Sequence, residues 1–161
     1  MVAEKIVVGI SEMAVSNRPD DTLITYSLGS CLGLTAYDPQ ACIGGLIHCM
    51  LPLSSVDEKK SKEAPAMFVD TGVSLLFNKI LDLGADKNRI VVKAAGCAQL
   101  LDPQKLFNIG ERNFTVLRKI LWKNNLLIKG QNIGGSVSRT VWLDMSTGKT
   151  IVKQQGQEVE I

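Results

Sequence analysis

The sequence predicts an α+β fold, a single domain over residues 1–161 with mixed or antiparallel sheets. Three observations predict it. Short apolar runs in hairpin order come before any helical pattern, two helix-period stretches are separated by a strand, and the chain closes on another hairpin. An enzyme built on a nucleotide is disfavoured, because no G-x-G-x-x-G or phosphate-binding loop occurs.

Taken in order, residues 5–13 (K-I-V-V-G-I-S-E-M) read as a first strand. Asn17-Arg18-Pro19-Asp20-Asp21 breaks it, and residues 22–27 form the second. Residues 31–37 and 42–50 are strand-length runs rich in Leu, Ile, Thr and Gly, joined by the turn Asp38-Pro39-Gln40-Ala41. Residues 54–62 (S-S-V-D-E-K-K-S-K) are polar and charged, and read as a flexible loop that is either a solvated connection or a border to a site. Residues 63–83 read as a helix, with Val69, Val73, Leu76, Ile80 and Leu83 at three- and four-residue steps and Gly84 as its stop. Residues 89–94 are a strand. Asn108 caps a helix over 110–123 that carries Phe114, Leu117, Ile120 and Leu121 on one face. Strands at 126–129, 137–144 and Thr150–Gln154 complete the chain, with a bend at Gly134-Gly135 and a turn at Ser146-Thr147-Gly148.

Composition narrows the function classes. The chain has 161 residues, enough to bury about 70% of its unfolded surface. A net charge of +2, with two Trp, two Tyr and four Phe, advertises neither a nucleic-acid nor a membrane surface. No apolar run reaches membrane-spanning length, and the N-terminus lacks the layout of a signal peptide, which points to the cytoplasm. The four cysteines, Cys31, Cys42, Cys49 and Cys97, are not needed as staples in an apolar chain of this size. Zinc is disfavoured too: there is no C-x-x-C pair, and alternation sends His48 and Cys49 to opposite faces.

The central hairpin carries the chemistry. Folded about Pro39-Gln40, it places Tyr37 opposite Cys42, Thr35 opposite Gly44, Gly33 opposite Leu46, and Cys31 opposite His48, the chain's single histidine. Directly opposed residues share a face with Cβ atoms about 4.5–5.5 Å apart, so this register expects a thiol beside an imidazole. Such a pair suits nucleophilic attack on an acyl carbon, with the imidazole managing the thiol proton and the leaving amine. Gly29 and Ser30 put backbone N–H groups beside Cys31, where an oxyanion would form. Thr25, six residues before Cys31, is placed to orient the imidazole if its strand adjoins the hairpin. Against this stands the plain alternative of a core cysteine and a structural histidine.

The string L-G-S-C-L-G-L at 28–34, with Thr25 upstream and His48 downstream, resembles the chemoreceptor glutamine deamidase family, CheD. So do F-N-I-G-E-R-N at 107–113, G-G-S-V-S-R-T-V at 134–141 and the closing S-T-G-K-T-I-V-K at 146–153. The resemblance implies an α/β/β sandwich with helices on one side of two packed sheets, and a Cys31-His48-Thr25 triad. It further implies deamidation of glutamines on methyl-accepting chemotaxis receptors, some hydrolysis of glutamyl methyl esters, and no cofactor. A CheC-type phosphatase is the implied binding partner, and acting mainly as that partner's binding module is the alternative function. Arg112 and Asn113 either line the substrate groove or tie down loops. The sequence departs from the family pattern at Ala95-Gly96-Cys97, where Gly-Gly-Ala is usual, and at Gln131-Asn132-Ile133, where an acidic residue usually precedes the Gly-Gly pair. Both departures bear on substrate choice.

Overall fold

The hairpin strands β4 (Leu32–Asp38) and β5 (Ile43–Cys49) are buried at every position in a computed structural model that describes residues 3–100 and 107–161. Alternation therefore sends apolar side chains to both faces, and both must be covered. Leu32, Leu34, Ala36, Ile43, Ile47 and Cys49 join one core with the helices. Tyr37 and Leu46 join a second core with Val8 and with Leu23 and Leu143 of the other sheet. The result is three layers: helices, sheet, sheet. Sequence order and composition had predicted the α+β class, and the family resemblance had predicted this layering.

Among the described residues the strands form two five-stranded sheets. The inner one runs β2 (Glu12–Ser16), β5, β4, β6 (Val91–Gly96), β7 (Ile128–Ile133), antiparallel except for the parallel β6–β7 pair. The outer one runs β1 (Lys5–Val7), β3 (Thr22–Leu28), β8 (Arg139–Asp144), β9 (Thr150–Gln154), β10 (Gln157–Glu160), with β1 and β3 parallel. Helix α2 (Val69–Asp82) lays Val69, Val73, Leu76 and Ile80 on the inner sheet, all fully buried. Each contributes roughly 1.5–3 kcal/mol of burial. Helix α3 (Ile109–Lys123) adds Leu117 and Leu121 to the same core. No helix among the described residues is long and apolar enough to cross a membrane.

Several expectations are corrected. The run 5–13 is two strands in different sheets, because the chain turns at residues 8–11 with Ser11 at φ 64°. The stretch 54–62 is ordered rather than a flexible loop. Its backbone at Ser54 is gripped by the Asp70 carboxylate (3.0 and 3.2 Å), and Asp57 caps the short helix α1 (Glu58–Glu63) through the Lys60 N–H. Pro65 separates that helix from α2, so the helix expected from 63 starts at Val69. Asn108 occupies the N-cap position of α3 but in left-handed backbone, without a side-chain capping hydrogen bond. Strand β10 has no apolar alternation to announce it, since every residue is exposed.

The hairpin register also differs, by two residues. Gly33 faces His48 and Leu32 faces Cys49, so Cys31 lies diagonal to the imidazole. The loop is Pro39 to Cys42 rather than a turn centred on Pro39-Gln40. Asp38 accepts from the Gln40 and Ala41 N–H groups (3.0 and 3.1 Å), the Cys42 N–H returns to the Asp38 carbonyl (2.9 Å), and Cys42 takes φ 55°. Arg89 clamps the same carboxylate at 3.0 and 2.9 Å and holds it well below the usual carboxylate range. A slip of two preserves facing, so Cys31 and His48 stay on the same side of the sheet.

Candidate active site

Cys31 sits one residue before β4, half-buried, packed against Leu28, Ala95, Val141 and Val152 between the two sheets. It opens onto a cavity of about 630 Å³, a volume that suits a side chain or small ligand. Gly29 and Ser30 line the same cavity; Cys97 and Ala98 face them, and Leu100, Phe114 and Ile133 supply apolar wall. The walls are tied together by backbone. The Cys97 N–H donates to the Cys31 carbonyl (2.8 Å), Ala98 N–H to Gly29 (2.9 Å), and Gly134 N–H to Gly96 (2.9 Å). Gly96 has φ +96°, and a Cβ there would collide with the Cys31 carbonyl, so this crossing requires glycine.

His48 does not line the cavity and is fully buried on β5. Its Nδ1 is 2.7 Å from Oγ1 of Thr25, which reaches across from β3 in the other sheet. Thr25 also donates its hydroxyl proton to the Val8 carbonyl (2.7 Å). A hydroxyl has one proton, so toward the ring Thr25 accepts, and Nδ1 is the protonated nitrogen. The lone pair is then on Nε2, which is buried and has no hydrogen-bond partner among the described residues. Burial lowers the His48 pKa to about 4, which keeps the ring a neutral base at physiological pH. Burial likewise raises the Cys31 thiol, slightly offset by its own backbone N–H. The resting pair is neutral.

The other thiols differ. Burial pushes Cys97 up to about 12, and Cys49 is fully enclosed and raised well above the ordinary thiol value. Cys42 is in the hairpin loop. Among the described residues no cluster of three or more His, Cys, Asp or Glu side chains is placed to hold a metal ion.

Asn113 is fully buried on α3 and does not line the cavity. Its side-chain N–H groups donate to the carbonyls of Ser30 (3.0 Å) and Met50 (3.3 Å), tying the residue before Cys31 to the end of the strand that carries His48. Arg112 is exposed and outside the cavity lining. Gly110 lets α3 approach this close: a Cβ there would meet the carbonyls of Cys97 and Ala98 at 2.5 Å. Arg139 was not singled out from the sequence. Almost fully buried, it donates to Asn132 Oδ1 (2.8 Å), Gly134 O (2.7 Å) and Gly96 O (3.2 Å), and so holds two rim segments of the cavity. The G-G-x-x-x-R spacing is its sequence signal. The cavity walls Phe114 and Ile133 had no such signal, because apolar residues on a helix and a strand read as ordinary core.

A family model described as CheD chemotactic sensory transduction matches residues 50–154, which lie after Thr25, Cys31 and His48. Curated relatives cover both parts. The chain is 44% identical over 98% of its length to a probable chemoreceptor glutamine deamidase CheD of Solibacter usitatus, covering 94% of that protein. It is 48% identical over 94% of its length to the CheD 1 protein of Syntrophus aciditrophicus, covering 94% of it, and 36% identical over 98% to one of Pyrococcus horikoshii, covering 98%. By the family match and these near full-length identities, the chain belongs to the CheD family.

Proposed function

We propose that this protein is a cytoplasmic protein-glutamine deamidase of methyl-accepting chemotaxis receptors, acting as one domain over residues 1–161. In this mechanism Cys31 is the nucleophile, His48 the base, and Thr25 the group that fixes the base. The observation that carries the reading is the Thr25–His48 hydrogen bond, which leaves an unpartnered Nε2 lone pair on the Cys31 face of the sheet. The name borne by the relatives, chemoreceptor glutamine deamidase, supports the substrate class.

The glutamine side chain enters the cavity with its amide carbon at Cys31. As Sγ attacks, its proton passes to Nε2 of His48, so a neutral pair becomes an imidazolium and a tetrahedral oxyanion. In this mechanism the oxyanion takes its donors from the backbone N–H groups of Gly29, Ser30 and Cys31, residues that line the cavity. The imidazolium gives its proton to the departing nitrogen, and ammonia leaves a thioester on Cys31. Water, deprotonated by His48, attacks the thioester and releases glutamate and the free thiol. A glutamyl methyl ester would form the same thioester with methanol as leaving group. No step draws on a cofactor.

Ammonia release on mixing the protein with a purified receptor cytoplasmic fragment tests this. Release that disappears in Cys31→Ala supports the mechanism. An inert mixture, from a protein that still binds a CheC-type phosphatase, would replace the proposal with a binding-module function.

A further inference from the structure

Positive charge is distributed unevenly along the chain. Residues 112–143 hold Arg112, Arg118, Lys119, Lys123, Lys129 and Arg139 and no Asp or Glu, in a protein whose net charge is only +2. Except for buried Arg139, these cations are exposed. Two of them, Arg118 and Lys119, line a second groove of about 690 Å³ between α3 and the start of β7, together with Trp122 and Leu127. Trp122 is 78% exposed and Leu127 72%, large apolar surfaces that the fold itself does not cover. Phe114 lines both this groove and the Cys31 cavity, and the Arg118 guanidinium lies over its ring at 5.9 Å. The two depressions therefore adjoin at Phe114.

We propose that this groove is an exosite for the substrate, taking an acidic amphipathic helical stretch of the same receptor molecule whose glutamine enters the Cys31 cavity. The inference rests on the deamidase reading above. From Phe114 to Trp122 is eight residues of α3, about 12 Å, and a substrate helix lying alongside spans that distance in about eight residues, or two turns. Apolar side chains two turns from the target glutamine would cover Trp122 and Leu127. Carboxylates flanking them would face Arg118 and Lys119. The chemistry at Cys31 reads only a side-chain amide; the groove supplies selection among glutamines.

The test uses a purified receptor cytoplasmic fragment and a short glutamine-containing peptide that ends before the groove. In the double variant Lys119→Glu/Trp122→Ala, KM for the fragment rises at least about tenfold with kcat held, while turnover of the short peptide is unaffected. Wild-type KM also rises with salt, and the variant loses that dependence. Binding of the fragment to Cys31→Ala protein, with and without the two groove substitutions, reads the same contact without catalysis. If fragment and peptide are processed normally by the variant, the exosite is wrong and the deamidase reading stands; the basic face then serves another partner. If wild-type protein binds the fragment through the groove without converting it, the deamidase reading fails and the docking surface survives. No binding and no conversion removes both.

Discussion

His48 is fully buried with its pKa lowered to about 4, against 6.5 for an exposed ring. The unfolded chain therefore binds a proton between pH 6.5 and 4 that the folded state refuses, so stability is complete above about pH 6.5 and falls as pH drops toward 4, by about 3 kcal/mol in all. Denaturant titrations across that range should record this slope in wild type and its absence in His48→Gln. Asp38 titrates separately: its carboxyl is held low by Arg89, so its contribution is lost only as pH falls below the ordinary carboxylate range. Reactivity follows the same logic. Because burial raises the Cys31 thiol, alkylation by iodoacetamide should keep accelerating beyond pH 9 instead of levelling at neutral pH as a preformed thiolate would. Thr25→Val keeps the shape but removes the acceptor for Nδ1–H, leaving a buried donor unpaired at a cost of about 1–3 kcal/mol. Its kcat should fall at least about tenfold, with the peptide KM little changed.

Between residues and the whole lie the elements that hold the site, and α3 is the chief of them. Asn113 ties the approach to Cys31 to the end of β5, and Gly110 allows the helix to sit against the Cys97 and Ala98 carbonyls. Asn113→Ala leaves the Ser30 and Met50 carbonyls without this donor and should cost about 1–3 kcal/mol by chemical denaturation, with a matching loss of activity. Gly110→Ala should do the same by pushing the helix away, whereas a change at exposed Arg112 should leave stability within about 0.5 kcal/mol. These roles were half legible. The residue types at 110–113 announced a special site, but a buried tie and a groove wall use the same amide, and only the packing direction of α3 separates them. In the hairpin, Pro39 suggested a turn centre; Asp38, by accepting from two loop N–H groups, moved that centre one residue on and the pairing by two.

For the molecule as a whole, the α+β class and the two long helices followed from periodicity, because Val69, Val73, Leu76 and Ile80 repeat at helical spacing and bury on one side. The sheet order did not. Strand β1 pairs with β3 and β2 with β5, although β1 and β2 read as one continuous run, since alternation carries no information about which neighbour a strand finds. That division matters for the site. It places Thr25 in the outer sheet and His48 in the inner one, so their hydrogen bond crosses the sandwich. It also predicts a global coupling: substitutions that loosen the sandwich far from the cavity, such as Leu143→Ala, should cost about 2–5 kcal/mol and lower kcat by misplacing the histidine.

The most direct test of the central claim is mass spectrometry of a chemoreceptor cytoplasmic fragment after incubation with wild-type protein and, in parallel, with Cys31→Ala. A gain of about 1 Da is expected at particular glutamines with wild type and none with the variant. A gain that persists in Cys31→Ala would contradict the central claim, because the amide would then be broken without the Cys31 thiol.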